Sequence, residues 1–250
     1  MNINIVELKK VLKKATLNFS LDSVQLNLTR DKVKSKMVTN ANDAIVILDI
    51  PNTIIPEVKE HDEHSFNFHD PNQSLMPYVG LIEDDQTTNI NIQAEKIVLT
   101  TGNLKSNIFF CSPAVVAVFN RDNIRQGHDY MAEFQLNDEF IKQFNMIKKI
   151  GMRFGKVYFS VLNKKLLMET TDKTNRFSNG LRFDLFDIEK SDLTLCFDYK
   201  NFVNVMSSID DDYENFMFHI IHVPETEMGM IYFNKIDESE RYFLMSRADI

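Results

Sequence analysis

Three histidines in a short polar stretch are the first candidates for chemistry in this 250-residue chain. His61 and His64 lie three residues apart among acidic neighbours, and His69 follows closely. Imidazole and carboxylate groups at such a spacing can bind zinc. A solvated polar loop accounts for the same residues more simply, so residues 51–70 are predicted to form a long loop without a metal.

Motifs for catalysis and phosphate binding are absent from the sequence. Its seven glycines form neither of the glycine-rich phosphate-binding loops, and no GxSxG nucleophile motif occurs. Cys111 and Cys196 lie in apolar, strand-like contexts, which favours free thiols in a reducing cytoplasm. The acidic run from Asp210 to Asp212 lacks the spacing of a calcium loop and is predicted to be a turn. The chain is therefore predicted to be non-enzymatic and to need no cofactor, and no apolar run is long enough for a membrane span.

Basic residues concentrate on two predicted helices, although the chain carries a net charge of −8. In residues 5–16, apolar residues at helical spacing predict one buried stripe. The opposite face carries Lys9, Lys10, Lys13 and Lys14. A second helix, from Asn137 to about Ile150, carries Lys142, Lys148 and Lys149, and Arg153 follows. A lysine-rich face is most often only solvated. Its recurrence at equivalent places of an acidic chain instead favours a common polyanionic partner, for which the phosphate backbone of DNA is the obvious candidate.

An internal repeat divides the chain into two similar halves. An acidic turn that ends a short helix and begins an alternating strand occurs at residues 81–92 and again at 208–219. The short helices are predicted at residues 70–85 and 198–209. Strands are predicted at residues 23–29, 34–39, 44–50, 89–93, 96–101 and 107–111, then at 156–162, 165–171, 180–186, 193–197, 215–222, 228–234 and 241–246. The predicted organisation is α+β, with two tandem similar domains at residues 1–111 and 129–250 and a linker at 112–128.

The predicted linker contains an unusually apolar run, Ala114 to Phe119, with the sequence AVVAVF. Loops run over the surface of a protein, so these side chains form either an exposed binding patch or an extra strand of the first domain. Both explanations remain open from the sequence.

The ordered set of segments resembles the DNA sliding clamp family. DEFIKQFNMIKKIG with KVYFSVLNKKLLME, and LTLCFDYKNFVNVMSSIDDDYENFMFHI, are similar to the second domain of T-even phage clamps. LKKVLKKATLNF with SLDSVQLNLTRD is similar to the first domain of proliferating cell nuclear antigen, and RYFLMS to its closing strand. The resemblance extends over almost the whole chain.

This resemblance implies the clamp fold, with two helices packed on antiparallel sheet in each domain, and a polymerase processivity factor. The expected partners are duplex DNA bound without sequence specificity, a DNA polymerase, a clamp-loader ATPase and two further copies in a homotrimeric ring. The expected location is the cytoplasm, which is that of the host if a phage encodes the protein.

The resemblance also implies two sets of site residues. The DNA-facing set is Lys9, Lys10, Lys13, Lys14, Lys142, Lys148, Lys149, Arg153 and Lys200. The partner-peptide groove is expected at Val116, Val118, Phe119, Phe243, Met245 and Ser246. Two alternatives stay open: a viral-type processivity factor of the same fold without a closed ring, and a phage structural or assembly protein.

Overall fold

The computed structural model describes residues 1–120, 130–175, 178–223 and 228–247. The chain divides into two compact units, one of residues 1–40 and 45–120 and the other of residues 41–44 and 121–250. The predicted linker lies in the first unit as far as residue 120, and its residues 121–128 lie outside the described residues.

The first unit consists of short helices and two antiparallel sheets. Its helices are α1 (Ile5–Ala15), α2 (Pro71–Ser74) and α3 (Met76–Val79). Its strands are β1 (Asn2–Ile3), β2 (Ser23–Leu28), β3 (Lys32–Val38), β4 (Ala44–Pro51), β5 (His64–His69), β6 (Thr88–Ile92), β7 (Lys96–Thr101) and β8 (Leu104–Phe109). Within the unit, the strand orders are β5-β2-β3-β4 and β1-β6-β7-β8.

The second unit repeats this arrangement strand for strand. Its helices are α4 (Asp138–Ile150) and α5 (Tyr199–Ser208). Its strands are β9 (Tyr130–Gln135), β10 (Lys156–Leu162), β11 (Lys165–Thr170), β12 (Leu181–Asp187), β13 (Leu193–Asp198), β14 (Phe216–Val223), β15 (Met228–Lys235) and β16 (Glu240–Met245). The strand orders β13-β10-β11-β12 and β9-β14-β15-β16 match those of the first unit. The repeat inferred from the acidic turns is therefore a repeat of topology.

Side-chain caps and apolar stripes explain why α1 and α4 form where the sequence predicts them. Asn4 accepts a hydrogen bond from the backbone of Glu7, and Asn137 accepts one from the backbone of Phe140, so each helix begins with a satisfied donor. The buried residues of α1 are Ile5, Leu8, Val11, Leu12 and Ala15, and those of α4 are Phe140, Phe144 and Ile147. The apolar spacing also predicts burial of Ile141 in the α4 stripe, but this residue is only half-buried.

Gly151 lies at the predicted end of α4, and the reason for a glycine there is packing. Its φ of −64° is ordinary right-handed backbone, and the chain continues into a short 3-10 turn that ends at Arg153. A Cβ at this position would lie 2.3 Å from the Cε2 atom of Tyr199. The hydroxyl of Tyr199 donates to the carbonyl oxygen of Lys148 at 2.7 Å, which attaches the end of α4 to α5.

Two sequence predictions for the first unit are wrong. The segment 51–70 is not a polar loop throughout, because it contains β5 and the buried side chains of Ile54, Ile55 and Val58. The predicted helix over 70–85 is instead two four-residue helices, α2 and α3. Each has a proline in its first turn. Pro77 has no N–H to donate to the carbonyl of Gln73 four residues earlier, so the helix is interrupted at Leu75.

Among the helices of the described residues, none is long and apolar enough to cross a bilayer.

Candidate nucleic-acid interface and partner groove

The four lysines of α1 lie on the surface of the first unit, and Lys9 and Lys10 form ion pairs within it. The Nζ atom of Lys9 lies 2.8 Å from Oδ1 of Asp84, and that of Lys10 lies 2.9 Å from Oε1 of Glu7. Asp84 belongs to the acidic turn that follows α3, so this turn attaches to α1 through its carboxylate. Lys13 and Lys14 are half-buried.

The predicted DNA-facing residues of the second unit are less neutralised than those of α1. Among the described residues, Lys142, Lys149, Arg153 and Lys200 are exposed and form no ion pair. Lys148 is also exposed and donates to Oγ of Ser207 on α5 at 3.2 Å. An exposed ion pair contributes little to stability, but it removes positive charge that a phosphate would otherwise meet. Among the predicted DNA-facing residues, those of the second unit therefore offer more unpaired positive charge than those of α1.

The acidic run at 210–212 stabilises the second unit as a turn. Asp212 lies 2.6 Å from Nζ of Lys235, which also lies 3.3 Å from a carboxylate oxygen of Glu240. Glu240 is 2% exposed and accepts a hydrogen bond from the hydroxyl of Tyr242. Burial alone would lower the pKa of Lys235, but the two carboxylates raise it, so the lysine stays charged.

No cluster of three or more metal-ligating side chains occurs in the part of the chain that the structure describes. His64 and His69 lie at the two ends of β5, and His61 lies in the turn before this strand. Cys111 and Cys196 are free thiols, as predicted, and burial raises the pKa of Cys111.

The first unit contains three of the predicted groove residues, Val116, Val118 and Phe119. The backbone N–H of Val38 donates to the carbonyl of Ala117, and that of Phe119 donates to the carbonyl of Lys36. Residues 117–119 therefore pair with β3, which supports the extra-strand explanation for this part of the run. Ala114 and Val115, which precede it, are exposed.

The second unit contains the other three predicted groove residues. Phe243 is 4% exposed and its ring stacks on Tyr232, with 4.6 Å between the centroids and 10° between the planes. Ser246 exchanges two hydrogen bonds with Gly229. Met245 is half-buried. Within this unit, Phe243 and Ser246 stabilise the sheet, and Met245 is the member of the three that keeps accessible surface.

Sequence reasoning missed a polar and aromatic row around Phe243. Cross-strand pairing places Glu133, His219, Tyr232 and Phe243 side by side on β9, β14, β15 and β16. His219 is buried, and its Nδ1 atom has no hydrogen-bond partner among the described residues. Burial lowers the pKa of His219, while the nearby Glu133 carboxylate raises it, and burial raises the pKa of Tyr232 to about 12. The sequence FMFHIIHV of β14 could have indicated this row, because alternation along a strand puts His219 on the face opposite Phe218.

Solved structures with this arrangement are DNA sliding clamps. Proliferating cell nuclear antigen (PCNA) from A. fulgidus, bound to the C-terminal region of FEN-1, matches at 14% identity and a TM-score of 0.64, over 100% of this chain and 98% of that one. A chain of the PCNA2–PCNA3 complex of Sulfolobus tokodaii matches at 15% identity and a TM-score of 0.65, over 100% of this chain and 100% of that one.

Bacterial clamps have the same arrangement in a longer chain. A putative DNA polymerase III beta subunit from Eubacterium rectale matches at 12% identity and a TM-score of 0.69, and this chain spans 65% of its length. No protein-family model and no curated protein matches the sequence. The chain has the DNA sliding clamp fold, so the predicted α+β class and clamp resemblance are confirmed at the level of the fold.

The burial of Phe243 generates a stability prediction. Replacing Phe243 with Ala should lower the free energy of unfolding by about 3–5 kcal/mol, because the substitution leaves a cavity beside Tyr232. Met245→Ala is the matched control on the same strand and should cost less, since this side chain is half-buried. Urea denaturation of both variants measures the difference. A Phe243→Ala variant as stable as the parent would show that the ring serves a binding groove instead of the core.

Proposed function

We propose that this chain is a DNA sliding clamp, a non-enzymatic subunit of a ring that encircles duplex DNA and tethers a polymerase. The observation that carries the proposal is the basic, unpaired surface of α4 and its neighbours in a fold shared with sliding clamps over the full chain. An acidic protein that presents several unpaired basic residues along one helix has a polyanion as its natural partner.

The chemistry of the basic residues fits contact with DNA that is independent of sequence. Lysine and arginine at exposed helical positions contact phosphates, and phosphate contacts position a protein without reading bases. Such contacts weaken as salt rises, because binding releases counterions from the DNA. A clamp that slides needs weak contacts of this kind, with retention supplied by the closed ring. The DNA-facing set from the sequence is retained in the proposal, with α4 and Lys200 contributing more than α1.

Unpaired sheet edges support a ring of several copies. In the strand orders of the two units, β8 and β12 each lie at the end of a sheet. On β8, Phe109 is 63% exposed, with Nζ of Lys96 lying 5.3 Å from its ring centroid. Exposed edges invite pairing with another chain, and a head-to-tail contact that closes forms a ring. We propose that β8 of one copy pairs with β12 of the next, and that three copies close the ring.

The comparison structures also support a peptide-binding role. The matched PCNA of A. fulgidus is bound to the C-terminal region of FEN-1, which is a segment of a partner protein. By analogy, a terminal segment of a DNA polymerase is the proposed ligand of this chain. Of the predicted groove residues, Val118 and Phe119 in the first unit are half-buried and keep surface for a ligand. In the second unit, Met245 is half-buried and keeps surface as well. A clamp-loader ATPase is the remaining proposed partner.

Assembly is tested by molar mass in solution. Light scattering at micromolar concentration should give the mass of three chains. Phe109→Asp should shift the particle toward single chains, because it places a charge at the edge that pairs. The control is Leu81→Asp, which changes an exposed leucine outside the strands and should leave the mass unchanged. A parent protein with the mass of one chain at every concentration would overturn the trimer and favour the viral-type factor without a ring.

Encirclement is tested by retention on DNA with open or blocked ends. Protein loaded on closed circular DNA should remain bound through a salt wash. Protein loaded on linear DNA should slide off unless the DNA ends are blocked. Lys149→Ala with Arg153→Ala should reduce loading without lowering the melting temperature, since both side chains are exposed. Lys164→Ala with Lys190→Ala, two exposed lysines elsewhere in the same unit, is the matched control. Equal retention on open and blocked linear DNA would contradict the proposed function and favour an assembly protein.

A further inference from the structure

Large apolar side chains are exposed among the basic residues at the end of α4. Met146 is 50% exposed, Ile150 is 39% exposed, and Met152, in the 3-10 turn that follows, is 80% exposed. A single exposed apolar residue needs no explanation. Three within seven residues, on an otherwise basic surface, indicate a patch with a partner.

Helical geometry places Met146 and Ile150 among the basic residues of α4. Met146 lies three or four residues from Lys142, Lys149 and Ile150, which puts these four residues in a stripe along one side of the helix. Met152 and Arg153 follow in the 3-10 turn that continues α4. The stripe lies on the side away from the buried Phe140, Phe144 and Ile147. Positive and apolar groups therefore alternate along a single exposed surface of the second unit.

The equivalent helix of the first unit lacks this combination. Across α1, no large apolar side chain is exposed, and Lys9 and Lys10 form ion pairs with Asp84 and Glu7. Since both helices belong to the same repeat, the apolar groups of α4 are not a requirement of the fold. They mark a property that only the second unit has.

The chemistry of the stripe selects its occupant. Lys142, Lys149 and Arg153 form no ion pair in the described part of the chain, so a partner that covers them must supply negative charge at intervals. The exposed methionines and isoleucine require apolar surface between those charges. The backbone of duplex DNA has this pattern, because an apolar deoxyribose face separates successive phosphates.

We propose that the α4 stripe grips the sugar–phosphate backbone of DNA by two kinds of contact. Lys149 and Arg153 neutralise phosphates, while Met146, Ile150 and Met152 pack against deoxyribose between them. The inference rests on the proposed clamp function and deepens it. It makes the second unit the stronger DNA contact of the chain and adds a component of affinity that salt does not screen.

The test separates the two contacts by their salt dependence. Affinity for a short unblocked duplex is measured over a series of salt concentrations with the full chain. Lys149→Ala with Arg153→Ala should reduce the slope of log affinity against log salt by about 0.9 for each phosphate that is no longer neutralised. Met146→Gln with Met152→Gln should leave the slope unchanged and lower affinity by about three- to tenfold at every salt concentration, as expected when less apolar surface is buried.

Controls make the result specific. Leu162→Gln alters an exposed leucine of the same unit outside the stripe and should bind DNA like the parent. Met152→Gln alone is the milder variant and should show part of the loss. The melting temperature should be unchanged in all of these variants, because the altered side chains are exposed.

The outcomes distinguish this inference from the proposed function. If the methionine variants bind the duplex as tightly as the parent, or change the salt slope, the sugar contact is refuted even when the parent is retained on circular DNA. If the parent is not retained on circular DNA, the clamp function itself fails. If the methionine variants lose as much affinity for polyglutamate as for duplex DNA, the occupant is an acidic protein, and the sugar contact is overturned.

Discussion

The packing around Phe218 holds the second unit together and determines which surfaces remain for binding. This ring lies on β14 and is fully buried. Its centroid lies 4.9–5.4 Å from the ring centroids of four other phenylalanines: Phe134 on β9 (4.9 Å), Phe140 on α4 (5.4 Å), Phe159 on β10 (5.4 Å) and Phe233 on β15 (4.9 Å). One side chain thus joins both sheets to the helix, and aromatic pairs of this kind contribute about 0.5–1.5 kcal/mol each beyond the area they bury. Because Phe140, Phe144 and Ile147 must face this core, the remaining side of α4 is directed to solvent.

That constraint explains how an acidic chain presents basic surface. The buried stripe fixes the rotation of each helix, so the charged residues between the stripe positions lie at the surface whatever their sign. On α4 the lysines are exposed, and on α1 Lys13 and Lys14 are half-buried. In the first unit, the acidic turn after α3 approaches α1 and Asp84 neutralises Lys9. In the second unit, Asp212 of the equivalent turn pairs with Lys235 on β15. The acidic turn therefore pairs with a lysine of the basic helix in the first unit and with a strand lysine in the second, although the two units share one topology.

Local signals in the sequence predicted much of the fold and less of the site. The caps at Asn4 and Asn137 and the apolar spacing after them placed α1 and α4, because these signals act within a few residues. The strand β5 was missed although HSFNFH alternates, since the histidines and acidic residues around it are typical of a polar loop. The ion pair of Lys9 with Asp84 joins residues 75 positions apart, so only the folded chain reveals it. The family resemblance put Phe243 in the expected groove, whereas its stacking on Tyr232 depends on strand register that no local pattern specifies.

Covalent closure of the interface tests whether copies of this chain close around DNA. Asn107→Cys on β8 and Arg182→Cys on β12 place exposed thiols on the two proposed interface strands, in a Cys111→Ser background. The protein is loaded on nicked circular DNA and treated with a short thiol crosslinker. If three copies encircle the DNA, a crosslinked species of three chains should stay on the circle in denaturant and be released when the DNA is cut. Crosslinked protein that leaves intact circles in denaturant, or that remains bound after the DNA is cut, would show that the chains do not encircle it.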